Sequence, residues 1–121
     1  MYSERKRGFP RINLKREANF QLLRHSPQGD NLNLKATVKN ISISGIYIET
    51  KENISPPKIS DIVWLEFKLT EEEGKVKLMA EVRRIIRQEN GSIGIGLMFI
   101  NLPANVKKTL WELVNKEKTP S

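Results

Sequence analysis

Short polar residues and a glycine fill the hexapeptide from residue 40 to residue 45, which reads Asn-Ile-Ser-Ile-Ser-Gly. Asn40, Ser42 and Ser44 carry side chains that can hydrogen-bond to the backbone of a turn or to a ligand at its edge. Gly45 permits either a positive φ angle or the close approach of another molecule. A polar corner without a ligand would use the same residues, so the hexapeptide alone leaves both interpretations open.

A second group of residues with ligand-binding chemistry lies near the N-terminus. Residues 1 to 16 contain six basic side chains and one acidic side chain, a net +5 of the total +7. The basic residues are Arg5, Lys6, Arg7, Arg11, Lys15 and Arg16. This concentration of charge predicts an arm for an anionic partner, such as a phosphate ligand, nucleic acid or an acidic membrane surface. A solvated tail that only aids solubility is the alternative.

Composition argues against several classes of protein. A length of 121 residues fits one domain. No apolar run approaches the roughly 18 residues of a membrane helix, and no apolar segment of a signal peptide follows the first basic residues. The chain has no cysteine and one histidine, His25, so we expect no metal site and no disulfide. No set of nucleophile, base and phosphate loop suggests catalysis, and we expect a cytoplasmic protein that is not an enzyme.

Alternating apolar and polar residues, separated by turn signals, indicate the elements that must hold these groups. They predict six strands, near residues 18–22, 32–39, 46–50, 61–69, 75–82 and 92–100. The apolar positions change from even to odd numbers at Asn40, which predicts a bulge or a corner there. The alternation also breaks between Arg83 and Arg87, which predicts a second irregularity.

The last strand and the C-terminal segment complete the predicted fold. Gly94 and Gly96 bare one face of the last strand, so either a backbone, an aromatic ring or a ligand lies against it, or a barrel bend packs tightly there. After Pro103, an apolar stripe at helical spacing predicts a helix that covers one side of the sheet. The chain is therefore expected to be all-β with a terminal helix, as a small antiparallel barrel or sandwich.

Two motifs read together resemble the PilZ domain family. Residues 7 to 11 read RxxxR, and residues 40 to 45 read [D/N]xSxxG about thirty positions later. The resemblance implies a six-stranded antiparallel β-barrel of the split-barrel type with a terminal helix. It also implies a bacterial receptor for the second messenger cyclic di-GMP. With the basic arm, the chain divides into an arm at residues 1–16 that carries RxxxR, a barrel with helix at 17–117, and a frayed tail at 118–121.

The resemblance assigns the arginines to the ligand. Arg7 and Arg11 match the two arginines of the family and would contact the guanines and phosphates of cyclic di-GMP. A guanidinium group suits both, because it forms paired hydrogen bonds with guanine O6 and N7 and with phosphate oxygens. Arg5 and Lys6 precede the motif and would add contacts to the ligand or its phosphates.

The corner supplies the remaining expected site residues. Ser42 matches the motif serine and would bond a phosphate oxygen or a guanine, and Gly45 would leave room for the ligand. Asn40 replaces the aspartate that is more frequent in the family. Its amide offers one acceptor oxygen where a carboxylate offers two, so guanine N–H groups would be bound with less charge assistance.

The expected function is a receptor or adaptor whose arm changes conformation when cyclic di-GMP binds and which signals to a partner protein. No other cofactor is expected. One alternative is a PilZ-like interaction domain that works without ligand. Another is a small barrel that binds single-stranded nucleic acid. That function needs exposed aromatic platforms, and only Tyr47 and Trp64 lie off the predicted core faces.

Overall fold

A computed structural model describes residues 11–22, 33–51, 57–70 and 74–118. Within these ranges, six strands and one helix follow one another along the chain. They are β1 (Ile12–Leu22), β2 (Asn33–Ile41), β3 (Gly45–Thr50), β4 (Ile62–Thr70), β5 (Gly74–Arg87), β6 (Ile93–Ile100) and α1 (Ala104–Lys118). The strands close into a barrel in the order β1-β2-β3-β6-β5-β4, with every neighbouring pair antiparallel. The predicted six-stranded barrel with a C-terminal helix is confirmed.

The interior of the barrel is built by the apolar half of each alternating strand. Phe20, Ile48, Leu65, Leu78 and Ile95 come from five different strands and are each at most 1% exposed. The apolar stripe of α1 belongs to the same core and consists of Val106, Leu110 and Val114. Burial of each such side chain contributes about 1.5–3 kcal/mol, so the helix is held to the barrel mainly by this stripe. In the part of the chain described here, no helix has the length and hydropathy needed to cross a membrane.

Two bulges interrupt the alternation at the predicted places. In β2, Val38 pairs with Ile48 but Asn40 pairs with Tyr47, so β2 contains one extra residue at Lys39. Val38 and Ile41 are buried, whereas the two residues between them both lie on the outer surface. A bulge has this effect because the extra residue shifts the rest of the strand by one position.

The bulge in β5 follows the same pattern. Val82 pairs with Leu97 and Arg84 pairs with Gly96, so Arg83 is the extra residue. Arg83 and Arg84 are both exposed, next to the buried Val82. The strand continues through the bulge to Arg87, five residues beyond the predicted end at 82, because the ladder resumes after the irregularity.

The first strand begins earlier than predicted. The sequence analysis started it at Ala18 and assigned residues 1–16 to the arm, but β1 starts at Ile12. Ile12 and Leu14 are 8% and 7% exposed, and Ile12 pairs with Ile41 of β2. Their apolar side chains continue the even-numbered apolar positions of the strand. The basic residues around them made this segment resemble part of the arm. Residues 1 to 10, residues 71 to 73 and the end of the predicted tail lie outside the described residues.

Candidate ligand-binding site

The corner between β2 and β3 is closed by the hydroxyl of Ser42. Its Oγ accepts hydrogen bonds from the backbone N–H groups of Ser44 at 3.2 Å and Gly45 at 3.3 Å. The same Oγ lies 3.0 Å from the Ser44 hydroxyl, and Ser42 N donates to the Gly45 carbonyl at 2.9 Å. Ser42 is only 1% exposed. Its hydroxyl therefore maintains the turn, as expected for a serine that bonds to local backbone.

Gly45 is required at the corner because β6 passes close to it. Gly45 pairs with Met98, and a Cβ atom at position 45 would overlap the backbone oxygen of Leu97. The positive φ glycines of the described chain are Gly74 and Gly91, so Gly45 does not serve to provide a left-handed residue. The glycine is needed for a reason that differs from both predictions, because the group that approaches it closely is the backbone of β6 in the same chain.

Arg11 and Asn40 meet beside the corner. Arg11 Nη1 donates a hydrogen bond to Asn40 Oδ1 at 2.8 Å. Arg11 immediately precedes β1, and the pairing of Asn13 with Asn40 places the start of β1 alongside the bulge of β2. The bulge turns the Asn40 side chain outward, where it reaches the guanidinium group. One residue from each of the two sequence motifs is thus brought into direct contact.

An open depression of about 650 Å³ lies next to this pair. Its lining residues come from the ends of β1 and β2, from the corner, and from the outer faces of β3, β5 and β6. They are Arg11, Asn40, Ser44, Gly45, Ile46, Tyr47, Arg83, Arg84, Ile86, Gly96, Leu97 and Met98. Three of these side chains are arginines and none is a carboxylate, so the depression is suited to an anionic ligand.

The predicted site residues are distributed unequally around this depression. Arg11, Asn40 and Gly45 line it, whereas the buried Ser42 does not. Ser44, the other serine of the corner, lines the depression instead. Arg5, Lys6 and Arg7 lie outside the described residues.

Sequence reasoning missed the far wall of the depression, which β3, β5 and β6 provide. Tyr47 lies flat on β6, because a Cβ atom at Gly94 would overlap the Tyr47 hydroxyl. The alternatives predicted for the face that Gly94 and Gly96 leave bare were a backbone, an aromatic ring, a ligand or tight packing at a barrel bend. The structure shows the aromatic ring. The break in alternation at Arg83 and Arg84 predicted an irregularity of the backbone. The same break also indicates that two consecutive arginine side chains face outward, which the sequence analysis did not predict.

A second open depression, of about 710 Å³, is lined by residues of β1 to β5 and differs from the first in its charge. It is lined by three glutamates and three lysines, together with neutral residues. The charged residues are Glu17, Lys35, Glu49, Lys51, Glu66 and Lys75. With charges of both signs in equal number, it offers no net attraction to an anion. Among the described residues, no cluster of three or more acidic or histidine side chains could hold a metal ion.

The architecture agrees with a comparison to known protein families. The model of the PilZ domain matches residues 5–116, which is nearly the whole chain. This chain belongs to the PilZ domain family. The match includes both motifs and the wall that β3, β5 and β6 contribute to the depression. No curated protein sequence matches this PilZ domain significantly.

Solved structures share the fold of this PilZ domain at low sequence identity. The inhibitor of motility MotI from Bacillus subtilis superimposes with a TM-score of 0.72 at 17% identity, covering 91% of this chain and 49% of MotI. The PilZ domain of YcgR from Escherichia coli, solved with c-di-GMP, gives 0.64 at 14% identity and covers 91% and 89%. The MrkH–c-di-GMP complex from K. pneumonia gives 0.62 at 17% identity, covering 91% and 50%. The chain thus spans about half the length of MotI and MrkH.

Proposed function

We propose that this PilZ domain is a receptor that binds cyclic di-GMP in the depression beside Arg11 and Asn40. The observation that carries the proposal is the 2.8 Å hydrogen bond between these residues at the edge of a depression with three arginines. The fold is that of YcgR and MrkH, whose structures contain c-di-GMP. Family membership and site chemistry support the same ligand independently.

The chemistry of the ligand matches the lining residues. Cyclic di-GMP presents two phosphodiester charges and two guanines, each with O6 and N7 acceptors in one plane. The hydrogen bond that Arg11 Nη1 donates to Asn40 Oδ1 orients the Arg11 guanidinium beside the depression. A guanidinium that is already oriented loses less side-chain entropy on binding than a freely rotating one. Arg11 is therefore the residue on which we expect affinity to depend most among those on the barrel.

The arm supplies the second arginine of the motif. Arg7 lies four positions before Arg11, and Arg11 lines the depression. Because only three residues separate the two arginines, both guanidinium groups can reach one ligand. Arg5 and Lys6 add positive charge on the same segment. We propose that Arg7 contacts the ligand directly and that Arg5 and Lys6 attract its phosphates.

The two serines of the corner have different roles in this proposal. Ser42 is a positioning residue, because its oxygen already accepts two backbone N–H groups inside the turn. Ser44 is partly buried and lines the depression, so we propose that it contacts the ligand. The direct contact of Ser42 predicted from the motif would require the hydroxyl to leave its present partners.

The proposal makes the protein a binding module in the cytoplasm and not an enzyme. Cyclic di-GMP is its ligand, and it needs no metal ion or other cofactor. When the ligand binds, residues 1 to 10 close over the depression, and the ordered arm presents a new surface to a partner protein. Binding would thereby shift the population of the signalling state.

Isothermal titration calorimetry tests this function. Cyclic di-GMP is titrated into the parent chain and into the Arg11→Ala and Arg87→Ala variants, with GTP and single-stranded RNA as competing ligands. Arg87 is an exposed arginine of β5 that does not line the depression, so it controls for the loss of one charge. We expect cyclic di-GMP alone to bind tightly, and only the Arg11 variant to lose affinity. Preferential binding of RNA would favour a nucleic-acid binder, and no binding at all would favour a ligand-independent interaction domain.

A further inference from the structure

The far wall of the depression has the elements of a second guanine site. Across the barrel surface, Asn40 of β2 pairs with Tyr47 of β3, Tyr47 with Gly96 of β6, and Gly96 with Arg84 of β5. These residues form one lateral row that runs from the Arg11–Asn40 pair to the opposite wall. Adjacent strands are about 4.8 Å apart, so the row spans roughly 14 Å before curvature. A row of that length has room for a ligand with two bases.

The glycines of β6 let two planar side chains lie down on the sheet from opposite sides. A Cβ atom at Gly96 would be 3.5 Å from Arg84 Cβ, 3.9 Å from Arg84 Nε and 3.9 Å from Tyr47 Cδ1. At Gly94 a Cβ atom would overlap the Tyr47 hydroxyl. The aromatic ring and the stem of the arginine therefore both border the space above Gly96.

The guanidinium group of Arg84 has no polar partner among the described residues. Within the described ranges it forms neither a hydrogen bond nor an ion pair, in contrast to Arg11, which bonds Asn40. The neighbouring Arg83 has a contact of 4.0 Å from Nη1 to the sulfur of Met98. No carboxylate lines the depression, so nothing in its wall neutralises Arg84.

We infer that Arg84 and Tyr47 form a subsite that binds one guanine of the ligand, on the opposite side of the depression from Arg11. This inference rests on the proposed function. Tyr47 offers a ring on which a base can stack, and the Arg84 fork donates to guanine O6 and N7 in the plane of that base. Ile86 and Met98, which are 39% and 40% exposed, provide apolar contacts at its edge.

Such a subsite would distinguish guanine from adenine, which the phosphate charges of the ligand cannot do. Adenine carries an amino donor where guanine carries O6, so an arginine fork that accepts guanine is mismatched with adenine. Arg84 should therefore select cyclic di-GMP over cyclic di-AMP, which has the same phosphate charges. Stacking on Tyr47 should strengthen the binding of both dinucleotides, since every base has an aromatic face.

Calorimetry with both cyclic dinucleotides tests the inference on the full chain. Arg84→Ala should lower affinity for cyclic di-GMP about tenfold to hundredfold and reduce its preference over cyclic di-AMP. Arg84→Lys should keep the charge but lose the preference, because an ammonium group lacks the planar fork. Tyr47→Leu should weaken both ligands, whereas Tyr47→Phe should retain binding. Arg87→Ala is the matched control and should leave the preference unchanged.

The results separate the inference from the proposed function. Loss of affinity in Arg11→Ala without any change in Arg84→Ala would overturn the subsite and leave the receptor function standing. Equal effects of Arg84→Ala and Arg87→Ala would reduce the role of Arg84 to general attraction and would also overturn it. Failure of the parent chain to bind cyclic di-GMP would overturn both. All variants are compared by circular dichroism, and the exposed position of Arg84 predicts an unchanged fold.

Discussion

Arg11 and Asn40 are joined by a hydrogen bond of 2.8 Å from Nη1 to Oδ1, although 29 positions separate them in the chain. The bond connects the segment that leads into β1 with the bulge of β2. It therefore ties the RxxxR motif to the corner motif before a ligand is present. A substitution of either residue therefore removes a contact that joins the two motifs.

Arg11→Ala should reduce the affinity for cyclic di-GMP by about 1–3 kcal/mol, the usual contribution of a bidentate arginine contact to guanine. Arg7→Ala should have a similar effect. The melting temperature of the Arg11 variant should change little, because this side chain is exposed and not part of the core. Calorimetry and thermal denaturation of each variant give the two quantities. If both variants bind as tightly as the parent chain, the arginines do not form the site.

Asn40→Asp should preserve or strengthen binding of cyclic di-GMP. A carboxylate keeps the hydrogen bond to Arg11 and accepts guanine N–H groups with charge assistance. Asn40→Ala should weaken binding, because it leaves Arg11 without this partner. The exposed pair contributes at most about 1 kcal/mol to folding, so both variants should melt near the parent temperature. A change of melting temperature in Asn40→Asp without a change of affinity would instead make Asn40 a structural residue of the corner.

Ser42→Ala and Ser44→Ala should affect different properties. Removal of the buried Ser42 hydroxyl leaves two backbone N–H groups without their acceptor, which costs about 1–3 kcal/mol of folding free energy. Ser44→Ala should change stability less and affinity more, because Ser44 lines the depression. Urea denaturation and ligand titration of both variants provide the comparison. A stable Ser42→Ala variant with weak binding would restore the direct ligand contact predicted from the motif.

Gly45→Ala should be more destabilising than Gly94→Ala. The new methyl group at position 45 meets the backbone oxygen of Leu97, which cannot move without distorting β6. At position 94 it meets the end of the Tyr47 side chain, which can rotate away. Overpacking against backbone costs about 1–3 kcal/mol. Equal melting temperatures for the two variants would show that the corner tolerates a side chain.

Amide hydrogen exchange should distinguish the arm from the first strand. Residues 12 to 22 form β1, which pairs with β2. The amides of β1 that bond across this pair should be protected from exchange with or without ligand. Residues 4 to 10 should become protected only when cyclic di-GMP is bound, because the ligand partners their positive charges. Equal protection of residues 4 to 10 in both states, at saturating ligand, would exclude arm closure.

The alternation of apolar and polar residues predicted six strands and a terminal helix, arranged as a barrel or a sandwich, and its change of phase predicted a bulge or a corner at Asn40. The resemblance to the PilZ family then implied the barrel. The start of β1 was placed too late, because the basic residues around Ile12 and Leu14 masked a strand that is defined by burial. The two-residue period of apolar side chains predicts which face of a strand is buried. Where the strand begins and ends depends on its pairing with the neighbouring strand.

The sequence could not predict which residues meet across the barrel. The Arg11–Asn40 contact depends on the register of β1 against β2, and Tyr47 reaches the glycines of β6 only because β3 lies beside β6. Strand order in a closed sheet is set by long-range pairing and leaves no local pattern. For the same reason, Ser42 could be identified as a motif residue but its burial inside the turn could not be foreseen.

Two single-residue bulges determine which side chains of β2 and β5 face outward. Lys39 and Arg83 are single extra residues in these strands, and each allows two consecutive side chains to lie on the outer surface, Lys39 with Asn40 and Arg83 with Arg84. Deletion of Lys39 or Arg83 would restore regular alternation and would leave Asn40 and Arg84 on the outer surface, next to the buried Val38 and Val82. Insertion of one residue elsewhere in either strand, without a bulge, would instead turn every residue beyond it to the opposite face. An alignment of related barrels therefore has to place single gaps at Lys39 and Arg83 to keep inward and outward residues matched.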